Sequence, residues 1–166
     1  MPPRIVVTPE VELDAVLAEH RRAHVVCFGS PSRPATPPDL PNFLALNFHD
    51  IAEPREGHVA PSRSDIDRLI LFARAWNGNG PLVMQCWMGV SRSTAGALIV
   101  GAALGADPNP LARRLRMASP AATPNPLMLR LADKALNLRG ALAEAGGSIG
   151  RGTVPVAHPF VLALRP

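Results

Sequence analysis

The sequence predicts an α/β fold, with a mainly parallel central sheet flanked by helices, on three observations. Short β-branched or apolar runs alternate with segments of helical periodicity along the chain. Glycine or proline closes several of these runs, as is typical where a strand or helix ends. The 166 residues contain no internal repeat and no linker, so we predict a single domain over residues 1–166, with a core at about 4–140 and a C-terminal tail over 141–166.

The first part of the chain contains three predicted strands. Residues 4–7 (RIVV) are a short β-branched run, and the apolar spacing of residues 9–22 predicts a helix after it. Residues 23–29 (AHVVCFG) predict a buried strand that ends at glycine. The proline content of residues 31–41 excludes a helix or strand and predicts a loop. Residues 43–50 (FLALNFHD) predict the third strand, which leads into another loop.

The middle of the chain predicts a helix, a strand and a second helix. Ser64 is the predicted N-cap of a helix over residues 65–76, which ends at the glycines of residues 77–80 (NGNG). Residues 81–86 (PLVMQC) predict a fourth strand. Small and apolar side chains fill residues 91–105, so this helix is expected to be buried nearly all round.

The last part of the chain predicts two more helices, at residues 110–118 and 126–138. The sequence after Gly140 is rich in glycine and is interpreted as the tail. Residues 158–164 (HPFVLAL) within it predict a docked extended segment. Because strands and helices alternate, ligands are expected beyond the carboxyl ends of the parallel strands.

Composition limits the class of protein. An apolar share of 47% with a charged share of 18% is typical of a soluble globular domain and excludes a disordered chain. No apolar run approaches the roughly 18 to 20 residues that span a bilayer, so no membrane partner is expected. The first residues carry proline and acids where a signal peptide has a basic and then an apolar run, which predicts a cytoplasmic protein.

The charged and sulfur-containing residues give few signs of a partner or a cofactor. The net charge of +4 comes almost wholly from arginine, since Lys134 is the only lysine. No basic stripe interleaved with aromatic residues is present, so no nucleic-acid partner is expected. The two cysteines, Cys27 and Cys86, lack the paired spacing of a zinc site or a disulfide framework, so neither a metal nor a cofactor is predicted.

One stretch combines the features of an anion-binding site. Cys86 ends the fourth predicted strand, Arg92 follows six positions later, and a buried helix begins between them. Free N–H groups of a first helical turn attract anions and stabilise a thiolate, which is the nucleophilic form of cysteine. Arginine can hold two oxygens of a tetrahedral oxyanion, and Gly89 lets the backbone turn so that its amide faces the ligand.

The segment CWMGVSRS (residues 86–93) resembles the signature loop of the cysteine-dependent protein tyrosine phosphatases, His-Cys-x5-Arg-Ser/Thr. Chain length, a cysteine in mid-chain and helices after the loop resemble the compact dual-specificity branch. Residues 44–104 look like bacterial proteins predicted to be tyrosine phosphatases of this kind. The resemblance implies a dual-specificity-phosphatase-like fold and a hydrolase acting on a phosphorylated protein or a small phosphomonoester.

The resemblance also implies roles for residues of the loop. Cys86 would attack phosphorus and form a cysteinyl phosphate, and Ser93 would hydrogen-bond the thiolate as it leaves. Arg92 and the amides from residue 87 to residue 92 would hold the phosphoryl oxygens. No metal would be needed. The phosphate-binding residues implied in this way are Trp87, Met88, Gly89, Val90, Ser91 and Arg92.

The general acid is expected on a loop some 30 residues before the cysteine, as the resemblance implies. Asp50 follows a strand-like run and opens a loop containing proline and glycine, so it is the preferred candidate. Glu53 and Glu56 share that loop and remain alternatives. Asp65 and Asp67 are interpreted as residues of a helix start.

Two departures from the pattern bear on activity and substrate. Gln85 stands where the family usually has histidine, which could slow turnover because glutamine carries no charge. The chain has no tyrosine, so an aromatic wall must come from Trp87, Trp76 or a phenylalanine, with Met88 as an apolar contact. Apolar loop side chains in place of lysine favour a single phosphoryl group over a phosphoinositide.

Three alternatives remain open. The first is a phosphate-binding pseudo-phosphatase, in which Gln85 and an uncertain acid leave little turnover. The second is an enzyme of the rhodanese or arsenate reductase type, which also uses cysteine in an anion-binding loop. The third concerns only Cys27, which could protect Cys86 through a reversible disulfide, although a buried strand cysteine is more often a small apolar side chain.

Overall fold

A five-stranded sheet forms the centre of the structure, a computed structural model that describes residues 3–155 and 157–165. The strands are β1 (Arg4–Pro9), β2 (His24–Gly29), β3 (Phe43–Asn47), β4 (Leu82–Cys86) and β5 (Phe160–Ala163). Their order is β3-β2-β4-β1-β5; the first four are parallel to one another, and β5 pairs antiparallel with β1. The predicted α/β class with a mainly parallel sheet is confirmed.

Within the described residues six α-helices accompany the sheet, and a 3-10 turn at Glu10–Glu12 precedes the first of them. Residues of α2 to α6 pack with one face of the sheet, whereas α1 and the loop before β3 cover the other face. The helices are α1 (Leu13–Glu19), α2 (Arg63–Ala75), α3 (Arg92–Ala103), α4 (Pro108–Ala118), α5 (Pro126–Leu136) and α6 (Ala141–Ser148).

The helix α3 is buried almost all round, as its composition predicts. Every side chain from residue 92 to residue 101 is buried. Gly96 is needed there, because a Cβ at this position would lie 2.7 Å from the ring of Phe28. The missing side chain lets α3 lie close against the sheet, so the first turn of α3 is fixed beside the end of β4.

Several predicted boundaries differ from the observed ones. Ser64 is not the N-cap of α2: Ser62 is, and it forms a capping box in which its hydroxyl accepts from the amide of Asp65 while that carboxylate accepts from the amide of Ser62. The predicted helix over residues 9–22 is shorter, because β1 continues to Pro9 and a 3-10 turn precedes α1.

The segment predicted as a tail is part of the core. Residues 141–148 form α6, whose Leu142 and Ala145 are fully buried against the rest of the main cluster. The docked extended segment is confirmed as β5, and Arg114 of α4 donates to the carbonyls of Ala163 and Leu164 at its end. The core therefore extends well beyond residue 140.

The register of the sheet brings the carboxyl ends of the four parallel strands to one edge. Gly29 is opposite Asn47, Cys27 is opposite Gln85, and Pro9 is opposite Cys86. The loops that follow these strands therefore meet around Cys86. Within the described ranges, no helix has both the length and the apolar content needed to cross a bilayer.

Candidate functional site

The loop between β4 and α3, residues 87–91, is held by its carbonyl groups. The carbonyl of Trp87 accepts from the amide of Glu10, and that of Val90 accepts from the amide of Thr123. The Ser91 carbonyl accepts from the amide of Asn125 and from that of the next helical turn. By contrast, the N–H groups of residues 88–91 make no hydrogen bond to a described residue. The β4–α3 loop thus presents free donors at the N-terminus of a buried helix, which suits an anion.

Gly89 makes the turn of this loop possible. Its φ is +67°, and a Cβ there would lie 2.8 Å from the backbone nitrogen of Pro9. Any other residue would meet both the left-handed backbone strain and the backbone of β1. Two independent physical reasons therefore favour glycine at residue 89.

Cys86 and Ser93 form a buried pair. The Sγ of Cys86 lies 3.0 Å from the Oγ of Ser93, and both side chains are almost fully buried. A hydroxyl at this distance can donate to a thiolate and stabilise its negative charge. Cys86 nevertheless lines a cavity that a ligand can enter.

Arg92 is buried and held from one end of its guanidinium group. Its Nη1 donates to the carbonyls of Gly29 (2.7 Å) and Phe48 (2.9 Å) and to the hydroxyl of Ser30 (3.0 Å). Its Nε is buried and has no partner among the described residues. A buried donor without an acceptor is costly, and a ligand oxygen in the adjoining cavity would satisfy it.

Asp50 is fixed beside the β4–α3 loop by two donors. Its Oδ1 accepts from the hydroxyl of Ser91 at 2.8 Å and from the side-chain amide of Asn125 at 2.7 Å. The Oδ2 atom of Asp50 makes no hydrogen bond to a described residue. The carboxylate is therefore oriented by one oxygen and leaves the other available, at the wall of the same cavity as Cys86.

The other acids of this loop lie elsewhere. Glu53 is exposed and pairs with Arg130 at 2.9 Å, and Glu56 is exposed; neither lines the cavity. Asp65 belongs to the capping box of α2, and Asp67 pairs with a neighbouring arginine on the same helix, which fits their interpretation as residues of a helix start.

The cavity at the site has a volume of about 340 Å³ and is open on one side. Trp87 and Met88 stand at its mouth with 55% and 40% of their surface exposed. Trp76 is distant, since its indole donates to Gly80 beyond the C-terminus of α2 and lines another cavity. Six of the nine described lining residues come from the segment 86–92, and the other three come from separate loops: Cys86, Trp87, Met88, Val90, Ser91 and Arg92, with Ser30, Asp50 and Pro155.

Gln85 does not face this cavity. Alternation along β4 places it on the same side of the sheet as Val83 and Cys27, whereas Cys86 faces the opposite side. The hydrogen bonds of the described residues include none from the Gln85 side chain to the β4–α3 loop. Gln85 can therefore act on the cysteine only through the backbone.

Cys27 is a buried thiol on that same opposite face. Burial, together with the smaller effect of the negative charge of Glu10, raises its pKa to about 12. Both cysteines are free, and the sheet separates their side chains. The arrangement favours Cys27 as a small apolar core residue over a partner for Cys86.

Sequence reasoning alone did not find Ser30 and Asn125. Ser30 follows β2 and binds Arg92, and Asn125 caps α5 and binds Asp50. The only sequence signal for Asn125 is its position before Pro126, as an N-cap before a proline at the first helical position.

The described residues contain no group of three histidine, cysteine, aspartate or glutamate side chains close enough to hold a metal ion. The arrangement can bind a tetrahedral anion next to the sulfur nucleophile of Cys86, with the carboxyl group of Asp50 at the wall of the same cavity.

Comparisons with protein-family models, with curated proteins and with solved structures gave no match to the chain.

Proposed function

We propose that this protein is a phosphomonoester hydrolase of the cysteine-dependent tyrosine phosphatase type, which acts through a cysteinyl phosphate. The observation that carries the proposal is the state of Arg92. Its guanidinium is buried, held at Nη1 by the carbonyls of Gly29 and Phe48, and left with an unsatisfied Nε, and Arg92 lines the same cavity as Cys86. A bidentate oxyanion fits that geometry and supplies the missing acceptor.

In the first step, Cys86 attacks the phosphorus atom of a bound phosphomonoester. An S–P bond forms while the P–O bond to the leaving group breaks, and Asp50 gives its proton to the departing oxygen. The N–H groups of residues 88–91 and the guanidinium of Arg92 stabilise the charge on the three remaining oxygens.

In the second step, water replaces the sulfur. Asp50, now a carboxylate, accepts a proton from the attacking water, and the S–P bond breaks to release inorganic phosphate. The electron pair returns to the sulfur of Cys86, and the hydroxyl of Ser93 stabilises the thiolate from 3.0 Å. The enzyme returns to its starting state without a cofactor.

The shape of the site supports an aryl or protein substrate with one phosphoryl group. Among the described lining residues the charged ones are Arg92 and Asp50, so this part of the lining offers no second cation for a second phosphate. The exposed side chains of Trp87 and Met88 give a ring apolar contacts at the mouth. We therefore propose phosphotyrosine or dual-specificity protein substrates.

The test is hydrolysis of p-nitrophenyl phosphate, with the intermediate trapped by acid quenching of a 32P-labelled substrate. Wild type should turn over and yield a labelled cysteine, and Cys86→Ser should do neither, because a hydroxyl is a far weaker nucleophile at neutral pH. Cys27→Ser is the matched control and should retain both signals.

Each alternative predicts a different outcome. Activity that persists in Cys86→Ser would exclude the cysteinyl mechanism. A wild type that binds inorganic phosphate but never turns over would indicate a pseudo-phosphatase. Sulfur transfer from thiosulfate, or reduction of arsenate by a thiol, without phosphatase activity would indicate an enzyme of the rhodanese or arsenate reductase type.

A further inference from the structure

The turn after β2 contacts the candidate site from outside the β4–α3 loop. The backbone groups of Ser30 and Arg33 exchange two hydrogen bonds of 3.0 Å, which close this turn. The hydroxyl of Ser30 accepts from Nη1 of Arg92 at 3.0 Å, and the side chain of Arg33 lies over the ring of Trp87. One short turn therefore contacts both the arginine proposed to bind phosphate and the aromatic residue at the mouth of the cavity.

Trp87 lies between two cavities. It lines the cavity that contains Cys86, and it also lines a second cavity of about 540 Å³ beside it. Arg33 is among the described lining residues of the second cavity and not of the first. The guanidinium of Arg33 therefore approaches the indole from the second cavity and leaves the side toward Cys86 open to a ligand.

The contact with Arg33 is the main restraint on the ring of Trp87 among the described residues. More than half of the surface of Trp87 is exposed, and it belongs to neither apolar cluster of those residues. Its indole N–H makes no hydrogen bond to any of them. The centre of its ring lies 4.9 Å from the guanidinium carbon of Arg33, within the distance at which a cation attracts an aromatic face.

Three contacts form a closed set around this pair. The guanidinium of Arg33 pairs with the carboxylate of Glu10 at 3.0 Å, and the amide of Glu10 donates to the carbonyl of Trp87 at 3.2 Å. Arg33 completes the set by lying over the Trp87 ring. We call Glu10, Arg33 and Trp87 the Trp87 clamp. Because each member contacts both others, the clamp restricts the indole more than an isolated surface pair would.

The charges around the clamp keep Arg33 engaged within it. The described charged residues that line the second cavity are Glu10, Asp14, Arg33 and Arg92. Arg92 is held at Nη1 by two backbone carbonyls, and Asp14 forms no ion pair with a described residue. The carboxylate of Glu10 offsets the charge of Arg33, so Arg33 acts mainly on the indole of Trp87 and not as a free cation for a phosphoryl group.

We propose that Arg33 is a positioning residue that gives the site its preference for aryl phosphates. It holds the indole of Trp87 at the mouth, where the ring of a substrate packs while the phosphoryl group lies at Cys86. An indole fixed in advance loses little rotamer entropy when the substrate ring arrives, whereas an unrestrained one would lose more. The inference rests on the proposed function in taking a phosphoryl group as the ligand of the cavity that contains Cys86.

The test compares the binding of phenylphosphonate and methylphosphonate, which lack the ester bond, so that binding is measured without turnover. Titration calorimetry gives the two dissociation constants, and their ratio cancels an effect of charge that both ligands share. Wild type should bind phenylphosphonate about tenfold more tightly, because its ring can pack on Trp87. Arg33→Gln should reduce that ratio about twofold to fivefold, the usual range for an exposed cation–π contact.

Two further variants distinguish positioning of the indole from direct contact with the ligand. Arg33→Lys keeps a cation that can pair with Glu10 and lie over the ring, so it should retain most of the ratio. Trp87→Ala should bring the ratio close to one, and adding Arg33→Gln should change it no further, because the two side chains act through one contact. The matched control is Arg63→Gln, which removes an arginine from another exposed ion pair that lines neither cavity and should leave the ratio unchanged.

Acrylamide quenching of tryptophan fluorescence gives a second measurement, which needs no ligand. Trp76, the other tryptophan of the chain, is only 7% exposed, so quenching reports mainly on Trp87. Arg33→Gln should raise the quenching constant, because the ring face that the guanidinium covers becomes open to solvent. Arg63→Gln should leave the quenching constant as it is in wild type.

Three results would overturn the inference. The first is equal binding of the two phosphonates by wild type, which would mean that Trp87 does not contact the ring. The second is an unchanged ratio in Arg33→Gln, even if both ligands bind more weakly, since Arg33 would then contribute charge only. The third is the same change of ratio when Arg33→Gln is added to Trp87→Ala, which would mean that Arg33 contacts the ligand itself.

These results can be separated from the test of the proposed function. A wild type that never hydrolyses p-nitrophenyl phosphate would remove the enzymatic proposal, yet a ratio that depends on Arg33 would still support its role in an anion-binding site. Conversely, an active phosphatase whose ratio is insensitive to Arg33 would keep its proposed function and contradict the role of the Trp87 clamp.

Discussion

The side-chain amide of Asn125 donates to Oδ1 of Asp50 at 2.7 Å across 75 positions of sequence. The same amide also donates to the carbonyl of Ile51, and its oxygen caps α5 by accepting from Met128. Asn125 therefore couples the start of α5 to the loop that carries the proposed acid. We regard it as a positioning residue for Asp50.

Asn125→Ala should lower kcat/KM, which reports the first step, about tenfold for phenyl phosphate and much less for p-nitrophenyl phosphate. Phenolate is a poor leaving group and depends on the proton from Asp50, whereas p-nitrophenolate departs without it. Misplacement of the acid therefore slows phenyl phosphate more than p-nitrophenyl phosphate. Asp50→Ala should give a larger loss of the same kind, about 100-fold or more for phenyl phosphate. Steady-state kinetics with the two substrates measures both.

The control for this prediction is Asp107→Ala, which removes the N-cap of α4 without touching Asp50. Both cap variants should lose about 1 kcal/mol of unfolding free energy. An equal loss of kcat/KM with the two substrates in Asn125→Ala would assign the residue a structural role only.

Ser93→Ala should slow the second step more than the first. Without the hydroxyl 3.0 Å from its sulfur, the thiolate of Cys86 is a poorer leaving group from phosphorus. Stopped-flow measurements should then show a burst of p-nitrophenol followed by a slower steady state, with more trapped cysteinyl phosphate. Ser119→Ala, at another buried serine, should show no burst that wild type lacks. Equal slowing of both steps would contradict the assigned role.

Arg92→Lys should lower kcat about 100-fold to 1,000-fold while the protein stays folded. One ammonium group cannot bond the carbonyls of Gly29 and Phe48 and also hold two phosphoryl oxygens, so the fixed cation at the site is lost. Kinetics, inhibition by inorganic phosphate and circular dichroism test this together. The control is Arg63→Lys, on the exposed side of α2, which should behave as wild type. A near-normal kcat in Arg92→Lys would remove the main support for the proposed function.

Gly89→Ala should be more destabilising than Gly57→Ala, although both glycines have positive φ, +67° and +75°. A Cβ at residue 57 meets nothing within 4 Å, so only the backbone strain of about 1 kcal/mol applies there. At residue 89 the contact with Pro9 at 2.8 Å adds to that strain. Urea unfolding of both variants gives the comparison, and equal losses would show that the loop moves away from β1 at little cost.

The stability of the protein should fall above pH 9 because of Cys27. Burial raises the pKa of this thiol from an ordinary 9.0 to about 12, so the unfolded chain loses the proton before the folded one does. The contribution is intact below pH 9 and is lost as the pH rises toward 12, by at most about 1.4 kcal/mol per pH unit. Urea midpoints of wild type and Cys27→Ala at pH 8 and pH 10 test this, because the variant should lack that part of the decline. Parallel declines would contradict the prediction.

Most of the fold could be predicted from local patterns, because the alternation of apolar runs and helical segments is a property of neighbouring residues. The misplaced N-cap shows the limit of such patterns. Ser62 and Ser64 are both good caps by type, and each has an aspartate three positions later, so the local pattern does not choose between them. The helix α6 was missed because Gly146 and Gly147 lower helix propensity, whereas Leu142 and Ala145 gain enough from burial to keep it.

Some residues of the candidate site could be predicted from local sequence, and others could not. Cys86, Gly89 and Arg92 lie within one short segment, so their spacing could be interpreted from sequence. Ser30 and Asn125 reach the site only through the register of the sheet and the packing of α5, which no local pattern contains. The orientation of Gln85, away from the cavity that Cys86 lines, follows from strand alternation.

The anchoring of the β4–α3 loop through the carbonyls of Trp87, Val90 and Ser91 has a thermodynamic consequence. The loop is already ordered before an anion arrives, so binding should involve little loss of conformational entropy. That benefit is not selective, since it applies to product phosphate as much as to substrate. A preordered β4–α3 loop therefore couples tight binding of the substrate to slow release of the product phosphate. Product inhibition would then set an upper limit on turnover.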